Sequence, residues 1–366
     1  MLQEKVEQRL RLGCATRQKA SQARGRQMLQ ALLCLGALRW KTVRARPQRS
    51  VSTARAWHAV WALLIVAMAV LSGTSAQARD LRSIGVLVGD LDNPFFHQVG
   101  REVEAEATKL VGKPVRVTVV SSGYDLERQV SQIDKFIASG YDLLILNAVD
   151  TARIAGEVQR AQQAGIVVVA VDVDAEGADA TVTSDNIQAG NIACGYLATR
   201  LKGRGDVVIL NGPPVSAVID RVQGCEAKLS AYPNIHVLSD DQNTGAGTPG
   251  GLAAMTTMLT TYPHIDAVFA INDPAAIGAD NAAAEAHRDE FFIVSVDGSP
   301  DGIRTMKEPQ TRIVASVAQS PFVMADQAVG VGYRLLQGGP APRSPILLPV
   351  QIVTKDNLTT YQGWQR

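Results

Sequence analysis

Two asparagine–aspartate pairs recur at one spacing along this chain of 366 residues. Asn147 precedes Asp172 by 25 positions, and Asn272 precedes Asp297 by the same 25. Each residue closes a short apolar run: LLIL before Asn147, VVVAV before Asp172, AVFAI before Asn272 and FIVSV before Asp297. Asparagine both donates and accepts hydrogen bonds, whereas ionised aspartate only accepts. Such a set at neighbouring strand ends suits the adjacent hydroxyls of a polyol, with the charge-assisted bonds to aspartate the stronger ones. Phe95 and Phe96 add two rings on which the C–H face of such a ligand can pack. Arg221, in the run Ile219-Asp220-Arg221, and Gln319, after the apolar run 313–318, add a cation and an amide. Simpler accounts compete. Asn and Asp favour turns after any strand, and the two phenylalanines can staple a helix to a sheet. Arg221 can pair at the surface with Asp220 or Glu226, and glutamine at a strand end is common. The doubled spacing favours the ligand account for the four Asn and Asp residues and leaves Arg221 open.

The elements that must carry these residues alternate. The run 84–89 reads as a strand covered on both faces. After it, Asn93-Pro94 reads as an N-cap followed by proline at the first helical position, opening an amphipathic helix over 95–110. The spacing then predicts strands over 115–120, 142–146, 167–171, 206–210, 236–238, 267–270 and 291–295. Helices are predicted over 126–139, 154–164, 187–201, 217–231, 250–261 and 275–287. Regular βα alternation means parallel sheets with helices on both faces. The repeat divides it into two similar lobes, and open α/β sheets bind ligands at the carboxyl ends of their strands. The expected class is therefore α/β, with two doubly wound parallel-sheet lobes.

Charge is unevenly distributed. Residues 1–55 hold 13 Lys/Arg against two acidic residues, and residues 56–78 hold no Lys, Arg, Asp or Glu. That leaves 23 basic and 33 acidic residues over 79–366, a net of −10, which argues against nucleic-acid binding. The apolar run 59–71 between a basic region and Ala76-Gln77-Ala78 describes a secretory signal peptide at 56–78, cleaved after Ala78. A retained membrane anchor is the rival, because the uncharged stretch is just long enough to span. Residues 1–55 read as a basic leader, either disordered or translated ahead of the true start, with a nucleic-acid-binding arm as the sharper alternative for their first part. Cys194 and Cys225 are the only cysteines after residue 78. Neither has CxxC or histidine spacing, so no metal site is expected. Export would permit a disulfide; two free buried thiols are expected instead.

The order and spacing of these runs resemble the ribose/galactose type of periplasmic sugar-binding protein, the soluble component of an ABC importer. The likeness covers essentially all of 82–360. It is carried by Asp92-Asn-Pro-Phe-Phe96, Asn147, Asp172, Ser184-Asp-Asn186, Asp220-Arg221, Asn272-Asp273, Asp297-Gly-Ser-Pro-Asp-Gly302 and Ala318-Gln319. The resemblance implies a sugar pocket lined by Asn93, Phe95, Phe96, Asn147, Asp172, Arg221, Asn272, Asp297 and Gln319, with Ser184 closing the first lobe's share. It implies three crossings between lobes, near Ser184-Asp185, Gln319-Ser320 and Pro349. The first lobe is then 79–184 plus 320–348, and the second 185–319 plus 349–366. Hinge closure on a monosaccharide or sugar alcohol would present a surface to the ABC permease, the route by which a periplasmic monomer meets the membrane. Against ribose binders, Val173 replaces a second arginine, Val296 replaces a phenylalanine, and the loop 243–248 lacks an aromatic. The turn Gly212-Pro213-Pro214 is also one residue shorter. Fewer rings and one guanidinium less imply an enlarged site, open to another pentose, a hexose or a sugar alcohol as readily as to ribose.

Rival functions fare worse. A repressor would need a helix-turn-helix where 56–78 is uncharged and apolar. A membrane-bound or periplasmic sugar sensor feeding a chemoreceptor or kinase stands as the alternative. An enzyme lacks support: His97, His236, His264 and His287 are scattered and read as solvated, and no catalytic grouping or phosphate loop accompanies them. No catalytic residue, metal or cofactor is expected.

Overall fold

A computed structural model describes residues 78–361 together with Gly363 and Trp364. The basic leader and the predicted signal-peptide segment up to residue 77 therefore lie outside the described residues. Twelve strands and nine helices are assigned in them. β1 (Ser83–Val88), β2 (Arg116–Ser121), β3 (Leu143–Leu146), β4 (Val167–Val171), β5 (Ala180–Ser184) and β11 (Ile346–Leu348) form one sheet, in the order β2-β1-β3-β4-β5-β11. β6 (Arg204–Asn211), β7 (Asn234–Asn243), β8 (Ala267–Ala270), β9 (Phe292–Asp297), β10 (Ile313–Ala318) and β12 (Gln351–Thr354) form the other, in the order β7-β6-β8-β9-β10-β12. The two orders are the same pattern drawn twice. The pairings are parallel except for the last strand of the second sheet, which runs antiparallel to β10.

The repeat extends to the residues that start the strands. Asp142 accepts from the Ser83 backbone N–H at 2.9 Å, and Asp266 accepts from that of Asp206 at 2.8 Å. In each lobe an aspartate thus ties the beginning of the strand before Asn147 or Asn272 to the first strand of its sheet.

Helix α1 (Pro94–Val111) is capped as its sequence dictates: the Asn93 side chain accepts from the Phe95 N–H at 2.9 Å and Pro94 opens the helix. Its apolar face (Phe95, Phe96, Val99, Val103) joins Met324, Ala325 and Ala328 of α9 (Pro321–Leu336) in the core of the first lobe. The remaining helices are α2 (Leu126–Ala138), α3 (Ala155–Gln163), α4 (Asn186–Arg200), α5 (Ser216–Leu229), α6 (Thr248–Thr261), α7 (Asp273–Glu285) and α8 (Pro300–Met306). The chain leaves the first sheet between Ser184 and Asn186, returns between Ala318 and Pro321, and leaves again between Leu348 and Gln351. Among the described residues no helix is long and apolar enough to cross a membrane.

The structure departs from the sequence expectations mainly at sheet edges and after residue 295. β5, β11 and β12 are short, and the last two lie at edges, so none offers the long apolar run that marks a strand. β7 runs for ten residues where three were expected, because this edge strand is half polar and largely exposed. The expectation of free thiols is corrected: Cys194 of α4 and Cys225 of α5 form a disulfide. Its cause is helix packing. A Cβ on Gly190 would sit 1.9 Å from the Arg221 carbonyl oxygen, and one on Gly224 would sit 2.1 Å from that of Ile187. With glycine at both crossings the helix backbones touch, and the two cysteine Cα atoms come to 5.0 Å, within disulfide reach.

Candidate functional site

A cavity between the two sheets, at the carboxyl ends of β1, β3, β4, β8 and β9, collects nine of the ten residues expected from sequence: Asn93, Phe95, Phe96, Asn147, Asp172, Arg221, Asn272, Asp297 and Gln319. Ser184 stands one bond behind. Its hydroxyl donates to Gln319 Oε1 at 2.8 Å, and Gln319 Nε2 donates to Asp297 Oδ1 at 2.8 Å. This relay runs from the first sheet to the second, so Ser184 orients the wall instead of forming it.

The two strand-end aspartates share a backbone irregularity. Asp172 has φ 61° and Asp297 φ 128°, conformations that L-residues adopt at a cost and that concentrate at functional positions. In both lobes the strain turns a carboxylate toward the cleft. Burial pushes the Asp172 carboxyl above its ordinary range, while the Arg221 guanidinium and the Asn147 amide pull it back. Asp297 is pushed up to about 7, first by burial and next by the charge of Asp273, against the pull of Arg221. Asp273 itself is fully buried behind the site, accepting from Ser295, Ser299 and Ser316.

The paired asparagines have diverged. Asn147 donates to the Val171 carbonyl and to Asp172 Oδ2 at 3.1 Å, and its Oδ1 has no partner. Asn272 is committed at both ends, donating to the Ala246 carbonyl at 2.9 Å and accepting from the Ala275 N–H as the N-cap of α7. Asp172 Oδ1, like Asn147 Oδ1, is buried and unpartnered among the described residues. Buried polar atoms are otherwise almost always hydrogen-bonded, so two adjacent bare acceptors call for donors from elsewhere.

Arg221 is buried, not a surface ion pair. Its Nε donates to Asn186 Oδ1 and its Nη1 to the Ile271 carbonyl, both at 2.9 Å, and Nη1 stands 3.9 Å from Asp297 Oδ1. Phe95 and Phe96 pack helix to sheet and also border the cavity. Each is 3% exposed and part of the first lobe's core, the rings meet edge to face at 5.5 Å, and both line the cavity.

Sequence reasoning missed Tyr124, which follows β2 in a Gly-Tyr turn with φ 56°. Its ring lies over Gly89, where a Cβ would come within 2.7 Å. Burial and the nearby Asp172 carboxylate push its phenol well above the ordinary range, so it stays a donor at any physiological pH. No run or spacing marks it. Gln129 of α2 was missed likewise: it donates to the Asn147 carbonyl and accepts from the Val149 N–H, fixing the turn that carries Asn147.

Val173, at the position of the second arginine of ribose binders, lines the cavity together with Val215, Val218 and Ile271. The lobes also touch directly, the Asp174 N–H donating to Ser216 Oγ at 2.9 Å. A larger groove of about 830 Å³ lies at the amino ends of β9 and β10, where Arg312 is already paired with Asp280 and Asp289. Among the described residues, none of its lining side chains carries a buried, unpartnered polar atom.

Residues 84–340 match the family model of the periplasmic binding protein domain. The chain is 30% identical over 280 residues to the ribose import binding protein of Salmonella typhimurium, covering 76% of this chain and 92% of that one. It is 30% identical over 291 residues to the xylitol-binding protein of Mycolicibacterium smegmatis, covering 78% and 81%. Among solved structures, the Caulobacter myo-inositol binding protein bound to myo-inositol superposes with a TM-score of 0.71 at 25% identity, over 78% of this chain and 97% of that one.

Proposed function

The chain belongs to the periplasmic binding protein family, and on that premise we propose that it captures a neutral monosaccharide or sugar alcohol between its lobes and delivers it to an ABC import permease. The observation that carries the choice of ligand is the pair of buried, unpartnered acceptors, Asn147 Oδ1 and Asp172 Oδ1. Hydroxyl hydrogens are the donors that fit them. Two carboxylates facing one guanidinium disfavour an anionic ligand such as a sugar phosphate, and the phenylalanine rings offer a face for C–H groups.

Capture follows from the fold. The cavity lies between the lobes, so a sugar enters it when they part about the three crossings. Contacts to Asp172 and Asn147 on one side and Arg221 and Asp297 on the other then favour reclosure around the ligand. The reading involves no chemical step, so these residues bind and orient only. It places the mature protein in the periplasm as a monomer, after cleavage behind Ala78, with the permease as its link to the membrane; the import binding protein among its relatives supports this placement.

A thermal-shift screen tests the function. A ligand that binds only the native state raises the melting temperature with concentration. At least one of D-ribose, xylitol and myo-inositol is expected to do so, and a flat response to every monosaccharide and polyol tried would refute the reading.

Affinity is also expected to depend on pH. Sugar hydroxyls donate to ionised Asp297, so binding favours the deprotonated carboxyl, lowers its pKa from about 7 and releases a proton. Affinity should be level above pH 8 and fall below pH 7, by up to about tenfold per pH unit. Calorimetry in buffers of different ionisation enthalpy reads the proton directly. Binding that is constant from pH 5.5 to 8.5, or that strengthens in acid, would show that Asp297 accepts nothing from the ligand.

A further inference from the structure

The strained turn that aims Asp297 into the cleft is held by a segment from far along the chain. After β12, Tyr361 donates its hydroxyl to the Gly298 carbonyl at 2.8 Å, and Trp364 donates its indole N–H to the Asp297 carbonyl at 2.9 Å. Two aromatic donors thus grip consecutive carbonyls at a turn where Asp297 has φ 128° and Gly298 φ 60°. A Cβ on Gly298 would meet the Tyr361 oxygen at 2.6 Å, so the grip leaves no room for another residue there.

Trp364 makes a second contact, on the other lobe. Its ring meets that of Phe95 edge to face at 5.7 Å, and it is buried to 8% exposure in the apolar cluster that contains Phe95, Phe96 and Met324. Because β12 belongs to the second sheet and α1 to the first lobe, this indole bridges the lobes directly at the cavity. One side chain therefore touches two lining residues, Phe95 on one lobe and Asp297 on the other. Edge-to-face ring pairs stabilise beyond the area they bury.

We propose that Tyr361 and Trp364 form a latch: both are positioning residues for the Asp297 carboxylate, and the indole seats against Phe95 when the lobes close, so that closure and ligand affinity depend on it. The proposal rests on the sugar-capture reading.

Fluorescence and affinity test it together. Trp364 is the sole tryptophan after Trp61, so comparison with Trp364→Phe isolates its emission whichever earlier tryptophans the purified protein retains. Titrations use whichever of D-ribose, xylitol and myo-inositol binds the wild type. The wild type is expected to change its emission on saturation, and Trp364→Phe is expected to lose that change. Trp364→Ala should weaken binding about tenfold or more, through the lost ring contact and donor together. Trp364→Phe, which keeps a ring against Phe95, should lose less, and Tyr361→Phe, which removes one hydroxyl, should lose a few-fold. If Trp364→Ala does not fold, Tyr361→Phe and Trp364→Phe decide the matter. Affinities within twofold of wild type in both, or an emission change that survives in Trp364→Phe, overturn the latch alone. A wild type that binds no sugar or polyol overturns the functional reading and the latch with it.

Discussion

Replacing Asp297 with alanine should lower sugar affinity at least about 30-fold while leaving a folded protein. The figure follows from hydrogen-bond energetics. The carboxylate receives Gln319 Nε2 and stands 3.9 Å from Arg221. A charged acceptor is worth about 1.5–3 kcal/mol to its donors, and about 2 kcal/mol is a factor of roughly 30 in Kd. The fold should survive because the raised pKa marks the ionised carboxyl as unfavourable in its buried place. Arg221 keeps its bonds to Asn186 and to the Ile271 carbonyl. The melting temperature without ligand should therefore hold, or rise slightly in Asp297→Asn, which keeps the shape of the side chain. Such a trade of stability against binding is common at functional sites. Calorimetric titration beside a melting curve separates the two effects. Affinity within threefold of wild type would remove Asp297 from the site.

Loss of the Cys194–Cys225 disulfide should cost about 3 kcal/mol of stability. The bond closes a loop of 31 residues, and constraining the unfolded chain to that extent is worth roughly 3–4 kcal/mol in the loop-entropy account. For a domain pair of this size the melting temperature should fall by roughly 5–10 °C. Cys194→Ala/Cys225→Ala, or strong reductant under denaturing exchange, makes the comparison. An unchanged melting temperature would show that the close α4–α5 crossing at Gly190 and Gly224 holds the helices without it. Arg221 lies one turn before Cys225, so the same variants report how firmly the site depends on that crossing.

Much of the architecture was legible because it is written locally. A buried parallel strand needs an unbroken apolar run, a helix needs its 3.6-residue stripe, and a proline after asparagine opens α1. The doubled 25-residue interval identified four residues that do end successive strands at one cavity. The edges were harder to read, since β7 is half exposed and β11 and β12 are three and four residues long. In such strands pairing, not hydrophobic pattern, defines the element.

What the sequence settled by itself was therefore the class of fold, the two-fold repeat and the type of group at the strand ends. Tertiary structure decided which of those groups are available. Asn147 and Asn272 look alike in sequence, yet one shows a bare oxygen to the cleft and the other is consumed as a helix cap. Tertiary structure alone also joined Cys194 to Cys225, set Ser184 behind Gln319, turned Tyr124 over Gly89 and brought Trp364 to Asp297 and Phe95. The physical reason is the same in each case. Strand and helix preferences depend on neighbours a few residues away, whereas these contacts depend on how closely whole helices and sheets approach, which glycine placement and core packing determine across tens to hundreds of residues.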